Sequence, residues 1–181
     1  MTLALLGAAC SGDDSDSDSA ADDTGTQSTA DDIGDCPSEP FTGEIVREVA
    51  VDGHEAVSLT GDDIVLAEAV VRSPNIAYTI YLADYDLGDQ EVGSGTIEAD
   101  AGQVVVSLFV ENDESLEAGE SYEVGFNPII DSGGGASADF DEPTNTVTII
   151  AVTDSQICLD ADFSDASGQL IRGTISAEIT G

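Results

Sequence analysis

Near its C-terminal end the chain alternates strictly between two chemistries. In residues 170–180, Ile171, Gly173, Ile175, Ala177 and Ile179 occupy one set of positions, and Leu170, Arg172, Thr174, Ser176, Glu178 and Thr180 the other. Successive side chains of a strand point to opposite faces, so this spacing predicts a half-buried strand. Residues 157–163 repeat it, with Ile157, Leu159, Ala161 and Phe163 on one side and Cys158, Asp160 and Asp162 on the other. That places Cys158 away from the core face. Tyr122, Val124 and Phe126 form a further such face. Residues 104–110, VVVSLFV, are nearly all apolar and read as a central strand covered on both sides. Residues 44–51, 56–59, 75–83 and 147–152 are additional strand candidates.

Turn signals separate these runs at short intervals, among them Asp52-Gly53, Ser73-Pro74-Asn75, Leu87-Gly88-Asp89, Ala101-Gly102, Ala118-Gly119, residues 132–135 and Ser167-Gly168. One stretch has two readings. Thr60-Gly61-Asp62-Asp63 could cap a helix over residues 64–71, with its acids at the favourable end of the dipole. Read as a strand, the same stretch puts Val65, Ala67, Ala69 and Val71 on one face, and its β-branched residues favour that choice. There is no convincing internal repeat. The expected fold is all-β: an antiparallel β-sandwich of about seven to nine strands over residues 36–181.

Charge restricts the functions open to such a fold. The chain of 181 residues carries 38 Asp and Glu against three basic residues, Arg47, Arg72 and Arg172, a formal charge of −35. Nine of the acids lie in residues 11–36 and the other 29 in the rest, so the folded part is acidic in its own right. Self-repulsion on this scale costs a compact state, and salt relieves it by shortening the Debye length from about 10 Å at 0.1 M to about 3 Å at 1 M. Adaptation to salty surroundings is one reading of the excess, and specific cation binding is the other. A nucleic-acid partner is excluded for want of Lys and Arg to neutralise phosphates. Adsorption to anionic lipid headgroups is disfavoured for the same reason.

The first residues carry a resemblance. The order Leu5-Leu6-Gly7-Ala8-Ala9-Cys10 is similar to the lipobox of prokaryotic lipoproteins, in which small residues precede a cysteine that is lipidated and becomes the mature N-terminus. The chain departs from that pattern in two ways. Gly7 stands where leucine is usual, with Leu6 one place further out, and the basic residues of a secretory signal are missing. A start upstream of Met1 would supply them. The resemblance implies residues 1–9 as a signal-peptide remnant, Cys10 as the lipidation site, and an extracytoplasmic, membrane-anchored location. Residues 11–35 contain one bulky apolar side chain, Ile33. Such a segment cannot bury enough surface to offset the entropy of ordering, so residues 10–35 are expected to form a disordered acidic leash. Two acyl chains on one cysteine would anchor stably where one would not. No later stretch approaches the roughly 18 apolar residues of a membrane-spanning helix. The domain is only loosely similar to uncharacterised β-sandwich lipoproteins of the cell envelope.

Removing Cys10 for lipidation leaves Cys36 and Cys158 of the three cysteines, and an oxidising compartment would join them. The alternative is two unpaired buried thiols.

Catalytic material is thin. His54 is the only histidine, in the turn-like Asp52-Gly53-His54-Glu55, and reads as an exposed loop residue. No G-x-S-x-G elbow accompanies it. Zinc needs several His or Cys ligands and is not expected. Asp84, Asp86 and Asp89 superficially resemble a calcium loop but fail the EF-hand spacing, and clusters at 139–142 and 160–165 are similar in kind. In so acidic a chain these arise by chance. A glycan hydrolase would need paired acids beside aromatic platforms. The chain has no Trp, and Tyr78, Tyr81, Tyr85 and Tyr122 fall in or beside strands. The expectation is therefore a non-enzymatic, monomeric, lipid-anchored interaction or structural module without a cofactor. A calcium- or small-ligand-binding module is the alternative and a hydrolase the remote one, with the protein or glycan partner open.

Overall fold

A computed structural model describes residues 36–48, 54–88, 97–124, 129–132, 134–136, 145–164 and 168–180. The proposed signal remnant, Cys10 and the acidic leash lie outside the described residues.

The described chain is all-β. Its strands are β1 (Phe41–Arg47), β2 (Val57–Thr60), β3 (Leu66–Ser73), β4 (Ala77–Ala83), β5 (Val105–Glu111), β6 (Ser121–Glu123), β7 (Ile129–Asp131), β8 (Gly134–Ala136), β9 (Thr146–Val152), β10 (Gln156–Ser164) and β11 (Gln169–Thr180). Eleven strands thus stand where seven to nine were expected. They are joined by hydrogen bonds into one curled sheet, in the order β6-β9-β10-β11-β3-β4-β5-β7-β8, with β1 and β2 branching from β11. All but one of the pairings are antiparallel. The exception is β11 with β3, where Glu178, Ile179 and Thr180 run parallel to Glu68, Ala69 and Val70.

The branch explains the curl. β11 pairs with β10 along its length, while its other edge is shared between β1, over residues 169–175, and β3, over residues 178–180. One long strand thereby turns two groups of strands toward a common interior. Ile45 of β1, Ala69 of β3, Ile80 and Leu82 of β4, Leu108 of β5, Ile149 of β9, Leu159 of β10 and Ile175 of β11 all belong to one buried cluster. The alternation seen in residues 157–163 and 171–177 is the inner face of this core.

β4 is buried at every position. Its second face, with Val105 of β5, is covered by Leu87 and Ile97 from the β4–β5 connection, making a smaller cluster with Tyr81 and Ala83. The two-sided burial expected for residues 104–110 holds at Val105 and Val106, whereas Ser107 and Phe109 are half-buried.

Between β2 and β3 the capping signal produces one 3-10 turn, Gly61–Asp63, and no helix. Asp63 Oδ2 accepts from both the Thr60 main-chain N–H, at 2.8 Å, and the Thr60 hydroxyl, at 2.9 Å. Residues 66–73 then continue as a strand, as their β-branched content favoured. Ala67 and Ala69 face the core, while Val65 precedes the strand and stays exposed. The two hydrogen bonds from Thr60, the main-chain one first, hold the Asp63 carboxyl below the ordinary aspartate range. A depressed value means that this contribution is present above the ordinary carboxylate pKa and is lost as pH falls through the folded value. An NMR titration of the Asp63 carboxyl should give a midpoint below that of an unstructured aspartate. A Thr60→Val variant, which deletes one of the two donors, should move it back part of the way.

β1 and β11 approach closely where Gly43 faces Gly173. A Cβ on Gly173 would lie 2.2 Å from the Thr42 carbonyl oxygen and 2.7 Å from Gly43 Cα, and its φ is +147°. Both the overlap and the backbone conformation require glycine. Gly173→Ala should cost about 2–3 kcal/mol in denaturant unfolding, combining forced overpacking with a disfavoured φ. A loss under 0.5 kcal/mol would show that the strands can separate freely here.

Candidate functional site

Arg47, the last residue of β1, points inward and is 1% exposed. An inward arginine must find acceptors for a charge that cannot be neutralised by deprotonation. Its Nε donates to the Glu55 carbonyl at 2.8 Å, one terminal nitrogen donates to the Ile129 carbonyl at 3.3 Å, and the other pairs with Asp131 Oδ2. The same Asp131 oxygen accepts from the Glu55 main-chain N–H at 3.2 Å. Asp131 Oδ1 lies 2.9 Å from His54 Nδ1. The cluster thus ties the end of β1, the approach to β2 and the end of β7 into one polar knot.

This corrects the reading of His54 as an exposed loop residue. Its side chain is 12% exposed, because the approach to β2 lays it against β7. A carboxylate on Nδ1 with Nε2 directed away is the orientation that a catalytic aspartate imposes on its histidine. The rest of such a site is not assembled: among the described residues no hydroxyl or thiol is hydrogen-bonded to the ring. Asp131, moreover, is committed to a buried arginine. The cluster is built to neutralise Arg47, and His54 completes the shell around the carboxylate.

Beside this knot lies a cavity of about 230 Å³. It is lined by five consecutive residues, 55–59, together with Asp84, residues 102–104, Asp131 and Ser132. It falls below the roughly 300–1,000 Å³ of sites for drug-sized ligands. Glu55, Asp84 and Asp131 make its lining acidic.

Of the calcium-like group, Asp84 and Asp86 are described, and each bonds to a main-chain N–H of its own. Asp84 Oδ1 accepts from the Val104 N–H at 2.9 Å, and Asp86 Oδ1 accepts from the Gly88 N–H at 2.8 Å. Each carboxylate organises its own turn, and Asp89 lies outside the described residues. In the 160–165 cluster, Asp160 accepts from the Thr174 hydroxyl and Asp162 pairs with Arg172 at 2.9 Å across the outer face of β10 and β11. Residues 139–142 lie outside the described residues. Among the described residues no group of three or more His, Cys, Asp or Glu side chains is arranged to hold a metal.

Tyr78 and Tyr81 are buried, and the hydroxyls of Tyr85 and Tyr122 bond to the main chain at Glu98 and Glu117. No described tyrosine lines the cavity.

Cys36 and Cys158 are joined by a disulfide. Cys158 sits on the side of β10 away from the main core cluster, as its place in the alternation indicated, and is fully buried. Among the described residues no helix is long and apolar enough to cross a membrane.

Comparison with protein-family models, with curated proteins and with solved structures finds no match to this chain.

The Arg47–Asp131–His54 cluster escaped the sequence reading, although one signal for it was present. In residues 44–51 the alternation puts Arg47 on the same side as Ile45, and an arginine on a core face calls for a carboxylate partner. Nothing in the sequence singled out Asp131 among 38 acids.

Proposed function

We propose that this chain is an envelope protein whose β domain is displayed outside the cytoplasm as an interaction or structural module, tethered through a lipidated Cys10. The observation that carries the reading is the Cys36–Cys158 disulfide. A structural bridge fits an oxidising compartment. It also accounts for two of the three cysteines, and Cys10, within the lipobox-like Leu5–Cys10 order, is the one left over. The acidic residues between Cys10 and the fold would then hold the domain clear of the bilayer. No reaction is proposed for the domain: the one histidine is hydrogen-bonded to Asp131, the carboxylate that pairs with buried Arg47.

Intact mass spectrometry of the protein from membrane fractions of its native host tests the tether. The expected species begins at Cys10, carries a diacylglyceryl group with or without a further acyl chain, and has Cys36 and Cys158 protected from alkylation until reduced. An unprocessed, fully reduced polypeptide in the cytosol would refute it.

A further inference from the structure

We infer that the outer edge of β2 is a docking edge for an extended, basic segment of a partner protein. This deepens the interaction-module reading and rests on it. The direction of the main-chain groups follows from the hydrogen bonds around β1. Ser176 N–H donates to the Pro40 carbonyl and Glu48 N–H to the Gly168 carbonyl, one at each end of the β1–β11 ladder. In an antiparallel ladder the groups alternate sides, so the even-numbered residues of β1 face β11 and the odd-numbered ones face β2. Ile45 is opposite Leu59 and Arg47 opposite Val57. Leu59 and Val57 therefore turn their N–H and C=O groups toward β1, and Ser58 turns its own outward. Thr60 agrees, since its N–H goes to Asp63 and not to β1.

Among the described residues no strand pairs with this outer edge. Three successive residues of β2, Val57, Ser58 and Leu59, line the acidic cavity where one strand face would contribute only alternate ones, which fits a cavity lying along the strand's edge. An added strand would hydrogen-bond Ser58 and send one side chain inward, the mode in which main-chain bonds give affinity and a pocket gives selectivity. Charge decides which side chain. Asp131 is neutralised by Arg47, but Glu55 and Asp84 are among the residues lining the cavity and no Lys or Arg is. A lysine or arginine suits them. A second copy of this chain does not, because it is equally acidic and its three arginines are engaged: Arg47 is buried, Arg72 donates to the Thr79 hydroxyl and Arg172 is paired with Asp162.

The test uses the disulfide-bonded full chain and a capped peptide, Thr-Val-Thr-Lys-Thr-Val-Thr, by calorimetry and ¹⁵N NMR at low and high salt. The lysine peptide should bind, weaken as salt rises, and shift the amide signals of residues 56–60 and 102–104. Exchanging its lysine for glutamate, or N-methylating its amides on the edge facing Ser58, should each weaken binding at least tenfold. Glu55→Gln with Asp84→Asn should cost the lysine peptide most of its advantage over the glutamate peptide. Equal binding of the two peptides, indifference to N-methylation, shifts elsewhere on the domain, self-association through this edge, or no binding at millimolar peptide would each overturn the proposal. None of these results bears on the lipid tether, which the mass measurement judges separately.

Discussion

Asp131→Ala should destabilise the domain by about 3–5 kcal/mol in denaturant unfolding, because it strands a buried guanidinium beside a main chain that cannot neutralise it. Arg47 is among the largest fully buried side chains, and Asp131 is the carboxylate that pairs with it. The loss should spread beyond the pair. Glu55 N–H and His54 also bond to Asp131, so the approach to β2 should loosen and exchange its amides faster. Removing both charges separates the cost of burying the pair from the cost of breaking it. Arg47→Met combined with Asp131→Leu should recover much of the stability lost in either single variant, as replacing a buried ion pair by apolar groups often does. A single-variant loss below 1 kcal/mol would mean that water reaches Arg47, against its 1% exposure.

Opening the Cys36–Cys158 bridge should have an effect of similar size. The two residues are 122 positions apart, and closing a loop of that length restricts the unfolded chain by about 4–5 kcal/mol in the entropy model. Measured losses for native disulfides run at about 2–5 kcal/mol. Urea unfolding with and without reductant should show the midpoint fall and the slope rise, since the reduced chain expands further. Locally, residues 36–40 would keep little more than the Ser176 N–H to Pro40 carbonyl bond as a hold on β11. Superimposable curves would show that the unfolded ensemble is compact whether bridged or not.

How much of this was legible depends on what kind of force fixes each part. Half-buried strands such as β10 and β11 write their burial into the sequence directly, because every second side chain meets water. β7 and β8 do not. Each has three residues, too few for a period, and the glycines at 133–135 read only as a turn. The branching of the sheet was also beyond reach. β11 exchanges β1 for β3 as its neighbour near a glycine pair whose importance lies in backbone approach, and composition records no distances. Of the candidate groups, the cysteine pairing followed from counting and from the outward place of Cys158. Asp84 was noticed as a candidate cation ligand, and the structure gives it a further place, accepting from the Val104 N–H at the start of the β5 region and lining a cavity. His54 was misplaced because a turn-like sequence does not reveal that a distant strand will pass beside it.

The position of β11 sets the order of events during synthesis. It supplies neighbours to β10, β1 and β3, so the strands made first have no complete sheet to join until residues 169–180 are available. Pairings of such long sequence separation form slowly. Local pairings such as the meander β3-β4-β5 can form before then, but completion of the sheet waits for the last strand. Closure comes with that strand, which enters between β10 on one edge and β1 and β3 on the other.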